Sequence, residues 1–129
     1  MYISAMSKTK KPPQEKINYI LDLFKSNQKQ KALFALDTLS KDYPNESIIF
    51  NIRGACYADL GQLDIAIKNY KKAIASNPSY AKAHYNLGGT FQELGQLEEA
   101  VKSYENALSL EPRNAEAHNN LGNTLRTLN

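Results

Sequence analysis

The chain has 129 residues, 42% of them apolar and 22% charged, with a formal net charge of +3. That length suits one domain with a real core, and the charge surplus sits in Lys8, Lys10 and Lys11; from residue 13 onward the other 13 of 16 basic residues balance 13 acidic ones. A balanced body excludes the clustered positive charge of a nucleic-acid face, one cysteine (Cys56) excludes a disulfide framework or a cysteine-rich zinc site, and no apolar run approaches a membrane span.

Residues 1–12 read as a mobile basic tail closed by Pro12 and Pro13. Its lysines follow a very short apolar stretch, the reverse of a secretory signal, so a cytoplasmic protein is expected. Helices are expected at 14–26, 28–42, 46–60, 63–76, 80–94, 97–110 and 114–128, each from apolar residues recurring at three- and four-residue intervals. Ala83, Leu87, Phe91 and Leu94 are one such stripe; Leu97, Ala100, Val101, Tyr104, Ala107 and Leu108 are another. Gly61 and Gly95 end first helices by entering the left-handed region. Pro44, Pro78 and Pro112 end second helices. Asp64, Glu98 and Glu99 suit the positive start of second helices.

The elements repeat. The three prolines are 34 residues apart, as are Gly54, Gly88 and Gly122, and Ala32, Ala66 and Ala100. Laid on that period, 47–80 and 81–114 agree at 10 of 34 positions, and 81–95 agrees with 115–129 at 8 of 15. Chance gives roughly one or two, so the repeat is genuine. Segment 13–46 fits the register only at Gln28, Ala32 and Pro44 and reads as a diverged first unit. Glycine inside a helix costs about 1 kcal/mol, so a recurring one predicts close helix approach, with Ala66 and Ala100 as the small surfaces facing it.

This pattern resembles the tetratricopeptide repeat family over residues 13–129. The family signature is met in the third unit by His84, Leu87, Gly88, Phe91, Ala100, Tyr104, Ala107 and Pro112, and in the second by Phe50, Arg53, Gly54, Tyr57, Ala66, Tyr70, Ala73 and Pro78. Arg53 departs from the usual Leu, so its stem must snorkel. Pentatricopeptide repeats run to a period of 35 and lack this arrangement of Gly, Ala and Pro. The resemblance implies an all-α, right-handed α-solenoid of antiparallel helix pairs. It would hold about three and a half repeats: 13–46, 47–80, 81–114 and the first helix of a fourth at 115–129. The wording AEAHNNLGN at 115–123 is also similar to the repeat domain of O-linked N-acetylglucosamine transferase-like proteins.

The family implies that first helices line a concave groove that binds a protein or an extended peptide segment. Groove positions in this sequence include Asn51, Lys82, Tyr85, Asn86, Gln92, Asn119, Asn120, Asn123 and Arg126. Asparagine suits main-chain recognition because its amide both donates and accepts. Ile17, Leu21 and Phe24 occupy groove register beside Ile48 and Ile52, and read either as core of a rotated first helix or as an apolar groove mouth able to receive a partner segment or the chain's own Tyr2-Ile3. The carboxylate clamp of chaperone-binding members needs cations and asparagines at fixed places. One frame holds Asn51, Ala55, Asn86, Glu116 and Asn120, the other Ile17, Leu21, Ile52, Lys82 and Asn86. Neither supplies the paired cations that a C-terminal carboxylate needs.

No catalytic constellation, cofactor fingerprint or metal-ligand set is present, and no nucleic-acid or membrane partner is expected. His84 and His118, 34 apart, are expected to pack between helices, and Cys56 to be buried. The chain stops where a second helix would cover Leu121, Leu125 and Leu128. That predicts a piece of a longer protein, such as the substrate-recruiting arm of a glycosyltransferase, or a homo-oligomer through the uncapped C-terminal end.

Overall fold

The computed structural model describes residues 11–129, so most of the expected tail, 1–10, lies outside the described residues, as does Tyr2-Ile3. Among the described residues there are seven helices and no strand: α1 (Gln14–Lys25), α2 (Lys29–Asp42), α3 (Ser47–Asp59), α4 (Leu63–Ser76), α5 (Ala81–Glu93), α6 (Leu97–Leu110) and α7 (Ala115–Leu128). Every expected segment is a helix, with each end at the expected limit or one residue inside it. The fold is an all-α helical repeat. It divides into two compact units between Glu46 and Ser47.

The turns inside the hairpins share one construction. Gly61 and Gly95 have φ of 79° and 78°, and Asn27, at the same register, has φ of 62°. Asparagine is the usual substitute for glycine in the left-handed cap. In each turn two amides fold back. The Gly61 N–H donates to the Ala58 carbonyl at 3.0 Å and the Gln62 N–H to the Tyr57 carbonyl at 2.9 Å, with the same pair at Gly95 and Gln96. These bonds satisfy carbonyls that a helix end otherwise leaves open. A different device starts α7: the Asn114 side chain accepts the Ala117 N–H at 3.0 Å.

The first unit packs α1 on α2 through buried Ile17, Ile20, Leu23, Ala32, Leu36 and Leu39. The second unit pairs α3 with α4 and α5 with α6; α4 packs on α5, and α6 on α7. The nearest neighbours of two helix glycines are tyrosine rings, where the spacing suggested the alanines. A Cβ at Gly54 would stand 2.7 Å from Tyr70 Cε1, and one at Gly88 2.8 Å from Tyr104 Cδ1. Each glycine makes room for a tyrosine ring from the second helix of its own repeat. The first unit exchanges this pair for Ile20 and Leu36, both buried. Volume is traded between the two positions, which hides the repeat from a residue-by-residue match.

Arg53 lies with its guanidinium 5.9 Å from the Phe50 ring centre, where Lys72 also stands at 5.8 Å. Cys56, Thr90 and Thr124 share a register and are all buried. Both threonine hydroxyls bond back to the carbonyl four residues earlier, at 3.0 Å from Asn86 and 2.8 Å from Asn120. No described helix is long and apolar enough to cross a membrane.

Candidate functional site

Within the second unit the first helices α3, α5 and α7 stand side by side, and side-chain hydrogen bonds run between them across one wall. The Asn86 amide donates to Asn51 Oδ1 at 3.1 Å, linking α5 to α3. Asn51 in turn donates to the Tyr80 hydroxyl at 3.4 Å. Asn51 is only 5% exposed. It is therefore a buried support beneath Asn86, where sequence register placed it on the surface. Its burial is stable because its amide finds partners on both sides.

Tyr85 joins α5 to α7. Its hydroxyl donates to Glu116 Oε2 at 3.1 Å and accepts from the Asn120 amide at 3.0 Å. Its ring lies 5.9 Å from that of Tyr104, tilted by 52°, a separation in the favourable aromatic range. Burial first, and the Glu116 carboxylate second, raise the Tyr85 pKa. The phenol thus stays protonated at neutral pH and keeps donating to Glu116.

Gln92 is held from behind. Tyr104, on α6, passes the space left by Gly88 and donates its hydroxyl to Gln92 Oε1 at 2.7 Å. That phenol is pushed up to about 12, by burial first and then by Tyr85. Lys82 and Asn119 are exposed on the same helices, and Arg126 is exposed and hydrogen-bonded to Asn123. A cleft of about 590 Å³ opens beside the wall, lined among others by Tyr80, Lys82, Tyr85, Asn114 and Glu116.

Tyr80 and Tyr104 were not among the groove candidates read from sequence. Glu116 sits at a groove position, so register alone brings it in. Tyr80 closes the second repeat, where the third has Asn114, and nothing in the periodicity marks it. Of the apolar candidates, Ile17, Leu21 and Phe24 belong to the first unit and Ile48 and Ile52 to the second. Ile17 and Ile52 are buried, while Leu21, Phe24 and Ile48 keep part of their surface; Phe24 has the Lys29 ammonium 5.2 Å from its ring centre.

The histidines hold inter-repeat turns. His84 Nε2 lies 3.0 Å from the Pro78 carbonyl, and His118 Nε2 lies 2.7 Å from that of Pro112. A carbonyl accepts only, so each ring donates from Nε2. Among the described residues no three His, Cys, Asp or Glu side chains are placed to share a metal ion.

The TPR repeat family profile matches residues 54–95 and again 90–128. The chain belongs to the TPR repeat family. Its fold is similar to that of the first TPR of Spaghetti (RPAP3) bound to the HSP90 peptide SRMEEVD, at 31% identity over 86% of this chain and 90% of that one, with a TM-score of 0.83. The first TPR domain of human RPAP3 matches at 31% identity and TM-score 0.83, covering 86% of this chain and 87% of that one. The Sgt2 TPR domain from Aspergillus fumigatus, at 21% identity and TM-score 0.83, covers 91% of this chain and 81% of that one and shows the fold alone. No curated protein sequence matches the chain. These TPR relatives give no support to the narrower likeness to the glycosyltransferase repeat domain.

Proposed function

We propose that this TPR chain is a peptide-binding scaffold module, and that the wall of α3, α5 and α7 receives an extended segment of a partner protein. The observation that carries the reading is the side-chain relay from Asn51 through Asn86, and from Glu116 through Tyr85 to Asn120. It fixes amides and hydroxyls in place before any ligand arrives, which lowers the ordering cost of binding. Asn86 and Asn120 each give an amide hydrogen to the relay and keep the side-chain oxygen for main-chain groups. Lys82, Tyr85, Gln92, Asn119, Asn123 and Arg126 would make the remaining contacts, and Asn51 would act by holding Asn86.

The related RPAP3 domain carries a peptide ending in EEVD. Here the clamp positions of the family hold Glu116 and Asn120 in place of cations. An acidic C-terminus would face Glu116 without the forked donors that fix a carboxylate. The reading therefore favours an internal, main-chain-read segment over an acidic tail. A peptide array probed with wild type, with the Asn86→Ala/Asn120→Ala pair and with Tyr85→Ala tests it. Wild type should select a set of peptides that the pair binds at least tenfold more weakly, and SRMEEVD should not be among the tight ones. Equal binding by wild type and the pair would eliminate the amide contacts, and tight SRMEEVD binding would overturn the chosen ligand class.

A further inference from the structure

The first unit carries a groove of about 640 Å³ between α1 and α2, remote in character from the amide wall. Ile20 and Leu39 form its floor and are buried, whereas Tyr19 and Phe34 stand out of it, 59% and 75% exposed. Phe34 is the most exposed large apolar side chain among the described residues. At the same register α4 has Lys68 and α6 has Lys102, both exposed, so that helix face is ordinarily solvated in this chain. Exposed aromatics in a shallow apolar groove mark an interaction surface.

The pattern along α2 indicates what covers it. After Gln30, the groove residues of α2 recur at helical spacing from Lys31 to Asp42, both exposed, about 16 Å apart along the axis. A two-fold axis between Leu36 and Asp37 would lay a second α2 antiparallel on the first. Lys31 then faces Asp42 of the second copy, Phe34 faces its Leu39, and small Ala35 faces Thr38 at the centre, where the backbones must approach. A single operation matches both charge pairs and both Phe34–Leu39 contacts, the self-complementarity that an isologous interface requires. An unrelated helix has no reason to find that symmetry. We propose that the α1–α2 groove is a homodimer interface in which α2 packs antiparallel against α2 of a second copy, at the opposite end of the chain from the leucines of α7.

Sedimentation of the 129-residue chain, from micromolar to near-millimolar concentration, tests this. Wild type should pass from monomer to dimer. Phe34→Lys, the residue that α4 and α6 carry there, should raise the dissociation constant about a hundredfold or more, because two rings lose their cover, with helix content unchanged and the same unfolding midpoint at concentrations where both proteins are monomeric. Lys31→Asp and Asp42→Lys should each weaken the dimer about tenfold by setting like charges face to face. An equimolar mixture of those two variants should associate as well as wild type, since both contacts are then of opposite sign; the double variant alone should do the same. A chain monomeric throughout overturns the proposal. So does a dimer indifferent to Phe34→Lys, which would move the interface to Leu125 and Leu128, or a dimer weakened by both charge variants and not restored by mixing them.

Discussion

Gly88→Ala separates two effects that usually travel together. Alanine in a helix interior is favoured over glycine by about 1 kcal/mol. Against that gain, the new Cβ would lie 2.8 Å from both Cδ1 and Cε1 of Tyr104, where carbon atoms rest at about 3.5–4.0 Å. The ring has nowhere to retreat: Tyr104 is 0% exposed, its hydroxyl is held by Gln92 at 2.7 Å, and Tyr85 leans on its face. Overpacking of this kind costs about 1–3 kcal/mol, so the variant should lose up to about 2 kcal/mol net. The neighbouring Gly89→Ala provides the control, because the same helix makes only a 3.8 Å contact there; it should be neutral or stabilised by up to about 1 kcal/mol. Urea unfolding followed by far-ultraviolet circular dichroism measures both. Adding Tyr104→Leu, the solution used by Ile20 and Leu36, should make Gly88→Ala favourable and give a coupling of about 1 kcal/mol or more. A Gly88→Ala protein more stable than wild type, with no coupling to position 104, would refute the reasoning.

Gly95→Ala, in the open at φ of 78°, should cost about 1–2 kcal/mol through backbone strain alone, whereas Asn27→Gly at φ of 62° should be neutral to slightly stabilising by the same urea assay. Asn51→Ala leaves the Asn86 amide and the Tyr80 hydroxyl without their buried partner and should cost about 1–3 kcal/mol; a change under a few tenths would show that the relay contributes nothing. The raised phenols make stability depend on alkaline pH. The native state keeps the Tyr104 proton that the unfolded chain releases, so stability is intact below the ordinary value of 10.0 and falls as pH climbs through about 12. Tyr70, raised by burial first and then by Asp59, acts in the same direction. Unfolding midpoints measured across that window should fall, and less steeply in Tyr104→Phe.

Helices and turns were readable because their causes are local: a glycine that accepts positive φ, a proline that ends a helix, an apolar stripe of one period. The first hairpin was readable as helix for the same reason, even though its repeat signature was not. What stayed hidden depends on partners across helices. Gly88 signals close approach, but only the fold tells whether the neighbour is Ala100 or Tyr104. Asn51 and Asn86 both fall at groove positions, the one in register with Tyr85 and the other with Asn120, yet Asn51 is buried against the Tyr80 hydroxyl while Asn86 keeps part of its surface. The exchange of Gly and Tyr for Ile and Leu conserves volume while erasing identity, so a comparison of letters cannot see it.

The Tyr104 hydroxyl crosses from the outer helix α6 to Gln92 on the wall, and the chain contains no tryptophan. Intrinsic emission therefore comes from tyrosine alone, and one of its emitters is wired to the surface where a ligand would lie. Occupancy of Gln92 should be visible as a change in unlabelled fluorescence, giving the protein an optical readout that needs no dye and no engineered probe.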